Sequence, residues 1–168
     1  MSTPLREGAL LDEGAAAFLH RPGISITAAA PDDRNVSRIG RCLGCRVSAD
    51  REKVTVFIPS AQYERFFAAL AARRAIAVVF SYPSTHQTLQ LKGADAAVGP
   101  LAPGDAQIIA RHVDSFVEEL GGLGYPREVV RAYHWCESEE LRAVTFTPSA
   151  AFEQTPGPGA GAPLRGPV

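Results

Sequence analysis

The spacing of hydrophobic and polar positions changes several times along this chain. Leu5 to His20 is rich in Ala and Leu with charged residues interspersed, and Pro22-Gly23 follows, so the pattern predicts a helix ending near His20. From Ile24 the period drops to two. Ile24-Ser25-Ile26-Thr27 alternates apolar and hydroxyl side chains, and Pro31-Asp32-Asp33 supplies turn chemistry, so a short strand feeds a reversal. A second strand is expected from about Val36 to Ser48, interrupted by Gly40 and Gly44; glycine inside a strand marks a bulge or a close approach by another group. Ala49-Asp50-Arg51-Glu52 turns the chain into a third strand, Val54 to Ile58, which is β-branched and ends at Pro59.

Ser60 stands where a helix cap is expected, and Tyr63, Phe66, Phe67 and Leu70 repeat at helical spacing. Arg73 and Arg74 close that helix favourably against its dipole. Ile76 to Phe80 is an unbroken apolar run, suited to a strand covered on both faces. In Thr85 to Lys92 a period of two puts Leu89 and Leu91 on one face and His86, Thr88, Gln90 and Lys92 on the other. A helix capped by Asp105 carries the stripe Ile109, Val113, Phe116, Val117 and Leu120 and stops at Gly121-Gly122. A shorter helix, Arg127 to Cys136, and a last strand, Leu141 to Phe146, precede a stretch dominated by Pro and Gly.

The first three strands are joined by connections too short for parallel crossovers, so the order fits a mainly β, α+β fold: an antiparallel barrel with helical crossovers. The expected division is an N-terminal helix over 1–22, a barrel domain over 23–150 and a Pro/Gly-rich tail over 151–168.

Length and composition narrow the classes. A chain of 168 residues, 46% hydrophobic and 21% charged, has room for one core and enough apolar surface to fold it. Seventeen basic against eighteen acidic residues argue against a general nucleic-acid binder while leaving a local phosphate site open. Acidic residues interrupt the opening segment, and no run of about 18 apolar residues is present, so neither export nor a membrane partner is expected and the cytoplasm is.

Cys42-Leu43-Gly44-Cys45 has the spacing of a zinc or redox pair. Residues three apart in a regular strand point to opposite faces, however, and no second paired-ligand motif exists, so these are expected to be structural thiols with no metal; a bulge at Gly44 would weaken that argument. Nucleophile motifs and nucleotide-type glycine loops are absent from the sequence. His86, beside Thr88 and Gln90 on the polar strand face, is a candidate for ligand contact. Arg41 and Arg46 on the second strand, and Arg65 in the first turns of the helix after Ser60, are the candidate phosphate cations, because a helix start, an arginine fork and a hydroxyl together suit an anion.

The blocks Asn35 to Val47, Val54 to Pro59, Ala77 to Phe80 and Gln90 to Gly93 resemble, in order and spacing, the pyridoxamine 5′-phosphate oxidase-like split-barrel proteins. The resemblance covers about residues 8 to 155. It implies a six-stranded split barrel, a homodimer, and FMN in a cleft between subunits. The family's phosphate-binding arginine falls on Arg65 with Ser60 nearby, and its second-strand arginine on Arg41 or Arg46, in the block that ends at Val47. Its flavin-contacting glutamine aligns nearer Thr88, so Gln90 matches in a shifted register. The family's lysine after the helix arginine is Phe66 here, and its C-terminal Arg and His segment has no counterpart, which separates this chain from pyridoxamine phosphate oxidation. The expectation is a flavin-dependent oxidoreductase acting on an unidentified small molecule. Haem held by His86, His112 or His134, a deazaflavin, or a non-catalytic regulatory dimer are the alternatives. The stretch Phe152 to Gly157 also resembles endings in this group, which implies that its start docks near the cleft.

Overall fold

The computed structural model describes residues 10–164. Helix α1 (Glu13–Leu19) starts where Asp12 accepts from the Ala15 amide at 2.8 Å; residues 5–9 of the expected helix lie outside the described residues. Strand β1 (Ser25–Pro31) follows, burying every second residue as its alternation predicts. The turn to β2 (Ser37–Arg41) is held by Asp32, whose carboxylate accepts from the Arg34 and Val36 amides and pairs with Arg38.

The expected second strand is two strands in different sheets. β2 pairs with β1, whereas β3 (Cys45–Val47) pairs with β4 (Val54–Pro59). The Cys42 amide still donates to Ile26 and the next amide, Leu43, already donates to Phe57, so the ladder changes sheet within one residue. Gly44 makes the corner at φ 138°, where a Cβ would also sit 3.4 Å from His112 and Phe57 side-chain atoms. The break rotates the chain so that Cys42 and Cys45 both point into the core, against the opposite-face expectation for a regular strand.

Helix α2 (Glu64–Arg73) leads to β5 (Ile76–Ser81), β6 (Thr88–Gly93) and the short β7 (Ala97–Gly99). Ser60 does not cap α2. Its amide and hydroxyl both donate to the Glu140 carbonyl, tying the end of β4 to a later turn, and α2 begins after Tyr63 with no side-chain cap. Helices α3 (Asp105–Gly122) and α4 (Arg127–Tyr133) form a hairpin, followed by β8 (Leu141–Phe146) and β9 (Ala150–Glu153). Gly104 occupies the cap position of α3, and Asp105 is its first residue.

All pairings are antiparallel, in a five-stranded sheet ordered β2-β1-β5-β6-β9 and a four-stranded sheet ordered β3-β4-β8-β7. The fold is α+β. The expected single six-stranded barrel is thus, among the described residues, nine strands in two sheets that do not close on each other, because Gly44 divides one strand and β7 and β9 add two short ones. β9 spans position 151, where the tail was expected to begin.

The main core fills the space between the sheets, with Ile26, Val78, Phe80 and Leu91 from one side and Val56, Ile58, Val144 and Phe146 from the other. β4 is buried on both faces, since its Phe57 packs with Leu43 and Ile109 beneath α3. No helix among the described residues is long and apolar enough to cross a membrane.

Candidate functional site

With Ile26, Val78, Phe80 and Leu91 turned into the core, the alternate residues of the five-stranded sheet form its outer face. Register carries one row across all five strands: Arg41 pairs with Thr27, Thr27 with Val79, Val79 with Gln90 and Gln90 with Phe152. At about 4.8 Å per strand, Arg41 and Gln90 stand about 14 Å apart along that row. The adjacent row runs Ser25, Ser81, Thr88. Small side chains in the middle of this face, with hydrogen-bonding groups and a cation towards its edges, make a shallow bed suited to a flat ligand.

Thr88 and Gln90 lie together at one end of the bed. The Thr88 hydroxyl is 2.7 Å from that of Ser81 and donates to the His86 carbonyl, while its amide donates to the Thr155 hydroxyl at 2.9 Å. Gln154 donates through its amide N–H to the Thr88 carbonyl at 2.8 Å and through its side chain to Gln90 at 3.4 Å. The latter contact is long, so both glutamine amides retain hydrogen-bonding capacity. The start of the Pro/Gly segment therefore docks on the polar strand face, and Gln154 and Thr155 join Thr88 and Gln90 there, beyond the four residues, His86, Thr88, Gln90 and Lys92, that strand periodicity placed on that face. His86 precedes β6, in an exposed turn at φ 60°, and does not share the strand face expected for it.

Arg41 stands at the other end. Its guanidinium lies 3.5 Å above the Tyr133 ring of α4, and its Nη1 is buried with no hydrogen-bond partner. The α3–α4 hairpin leans over this end of the sheet and encloses a cleft of about 310 Å³ between Ser25, Thr27 and Arg41 on the sheet and His112, Tyr133 and His134 on the helices. Burial, followed by the proximity of His134, drives the His112 pKa down to about 4; burial also lowers that of His134, whose Nδ1 lies 2.8 Å from the Val130 carbonyl. Both imidazoles are neutral at pH 7.

The remaining candidates lie apart. Arg46 forms a two-pronged ion pair with Asp105, at 2.9 and 3.2 Å, and the Asp105 carboxylate, 1% exposed, also accepts from the Ala102 amide. Arg46 is thereby committed to fastening β3 to the start of α3. The Val47 amide donates to His20 Nε2 at 3.3 Å. Ser60 is used by Glu140, as described above. Arg65 is exposed on α2 beside Ser37 and Ile39, at the β2 edge, three strands from Thr88 and Gln90. The cysteines are thiols, because burial pushes Cys45 up to about 12 and Cys42 higher still, and the Cys45 thiol donates to the Leu19 carbonyl.

No family model and no curated protein sequence matches the chain. Solved structures do. An F420 reductase aligns with 84% of this chain and 98% of its own at 14% identity and a TM-score of 0.54. HupZ from Group A Streptococcus aligns with 90% of this chain and 99% of its own at 12% identity and a TM-score of 0.52. A Clostridium acetobutylicum protein related to general stress protein 26, of the pyridoxinephosphate oxidase family, covers 84% of this chain and 88% of its own at 13% identity and a TM-score of 0.46. The chain shares its fold, a split barrel, with the F420 reductase and HupZ structures. In this split barrel the five-stranded sheet carries the polar outer face, the α3–α4 hairpin covers its Arg41 end, and Glu119 of α3 accepts from Tyr82 and Ser84 at the turn between β5 and β6.

Proposed function

We propose that the protein binds FMN on the outer face of its five-stranded sheet and acts as a flavin-dependent oxidoreductase. The observation that carries this reading is the group Thr88, Gln90, Gln154 and Thr155 at the edge of a shallow bed of small side chains. An isoalloxazine needs hydrogen bonds along one edge and an apolar surface beneath its ring; this group supports the first and the small side chains around Val79 the second. A bound flavin would supply hydride-transfer chemistry, while the protein orients it and excludes water. The resemblance to the split-barrel family assigns the phosphate to Arg65, beside the uncapped start of α2. Because Arg65 lies beyond the β2 edge and Gln90 lies three strands inward, a single FMN reaching both is best served by a second copy of the chain contributing one of them.

Titration of the purified protein with FMN, followed by flavin absorbance and fluorescence, tests the proposal. Binding is expected to quench flavin fluorescence, to weaken by about fivefold or more in Gln90→Ala, and to weaken by about 1.5 to 3 kcal/mol in Arg65→Ala. Parallel titrations with coenzyme F420 and haem separate the alternatives: saturable binding of either one without FMN replaces this cofactor assignment, and absence of all three overturns it.

A further inference from the structure

The cleft between the sheet and the α3–α4 hairpin holds features that the flavin bed does not use. Arg41 Nη1 is buried without a partner, a situation that is costly and rare in folded proteins unless a water or ligand completes it. Among the described residues no carboxylate pairs with this guanidinium. The other lining side chains able to carry a positive charge are His112 and His134, both neutral at pH 7, so the cleft presents one positive charge. One charge matches a monoanion better than a phosphate dianion.

The rest of the wall is aromatic and aliphatic. The His112 ring stacks parallel to Phe116 at 6.2 Å, Phe116 meets His134 edge-on at 4.8 Å, and Tyr133 lies flat against Arg41. Flat rings held at these angles offer stacking and edge contacts to another ring. A volume of about 310 Å³ falls at the lower end of the roughly 300–1,000 Å³ common for small-molecule sites. Tyr133 is 65% exposed, so its ring can swing from the guanidinium without disturbing the core.

We propose that this cleft binds a small aromatic monocarboxylate, its carboxylate on the Arg41 guanidinium and its ring among Phe116, Tyr133 and His134. Ser25 and Thr27 belong both to the cleft wall and to the outer sheet face, so the bound acid lies at the edge of the proposed flavin bed, where a substrate of that site would sit. That last role rests on the flavin proposal; the binding itself does not.

Calorimetric titration of the full chain with benzoate and with benzamide, in the absence of added flavin, tests the binding. The two differ in charge and little in shape. Benzoate is expected to bind at least tenfold more tightly than benzamide and than inorganic phosphate, and Arg41→Lys, which keeps a charge but loses the planar fork, is expected to weaken benzoate by threefold or more. Equal binding of benzoate and benzamide, tighter binding of phosphate, or no binding of benzoate overturns the proposal, and the comparison on the unaltered protein needs no variant to fold. Flavin titration is read separately: FMN binding without benzoate binding removes this inference alone, and benzoate binding without FMN removes the cofactor reading alone.

Discussion

Asp105 is 1% exposed, and its carboxylate is fully engaged, because Arg46 and the Ala102 amide both face it. Removing its carboxylate strands the arginine and frees the loop before α3. Asp105→Ala is therefore expected to lower unfolding free energy by about 2 to 3 kcal/mol in urea melts, less than a fully buried pair would lose because Arg46 is partly solvated. His112 makes a pH-dependent contribution. Its folded pKa of about 4 lies below the usual 6.5, so between those values the unfolded chain binds the extra proton and stability falls as pH falls. Wild type is expected to lose about 2 to 3 kcal/mol from this source between pH 7 and 4.5, and His112→Gln to lose measurably less. Asp32, Asp50, Asp95, Glu119 and Glu153, all held below their usual values chiefly by hydrogen bonds, add their losses at lower pH, below about 4.5. At this scale the sequence marked Arg41, Arg46, Thr88 and Gln90 correctly as polar strand positions, but it carried no sign that Arg46 had a buried partner 59 residues away.

Among the elements, the 42–44 corner decides the architecture. A regular strand through this stretch would have kept Cys42 and Cys45 on opposite faces; the break at Gly44 hands the chain from one sheet to the other and buries both. Gly44→Ala would force a side chain into a backbone conformation that residues with a Cβ rarely adopt, with His112 and Phe57 already at 3.4 Å from it. A loss of about 1 to 3 kcal/mol is expected, visible as a lowered urea midpoint. The glycine's importance was legible from its place inside a strand pattern, whereas the sheet switch was not, because it depends on which carbonyls lie opposite. Strong local periodicity explains why β5, β8 and α3 fell where expected. β7 and β9 are three and four residues long and exist through their pairing with β8 and β6, so nothing in their own sequence announced them.

For the whole molecule, the outer sheet face is where the proposed functions meet. Ile39, 61% exposed at the β2 edge of this face and beside Arg65, is the natural place for a second copy to pack if the cofactor is shared. Light scattering of the purified protein is expected to return twice the 17.9 kDa of one chain, and Ile39→Asp to shift the mass towards one chain and weaken FMN binding together. A monomeric wild type that still binds FMN would remove the need for a shared site.

Hydrophobic periodicity, glycine placement and turn residues, all local properties, were enough to determine by themselves the α+β class, most strands and helices, and the polar face of β6. The order and spacing of short blocks pointed to the split barrel. Tertiary structure decided which cations are free: Arg46 is consumed by Asp105, Arg41 is left with an unpaired nitrogen, and Arg65 stands apart from Gln90. It also placed Gln154 and Thr155 against Thr88 and folded the α3–α4 hairpin over Arg41. These outcomes depend on contacts between segments tens of residues apart, and the spacing along one strand or helix contains no information about what the rest of the chain sets opposite it.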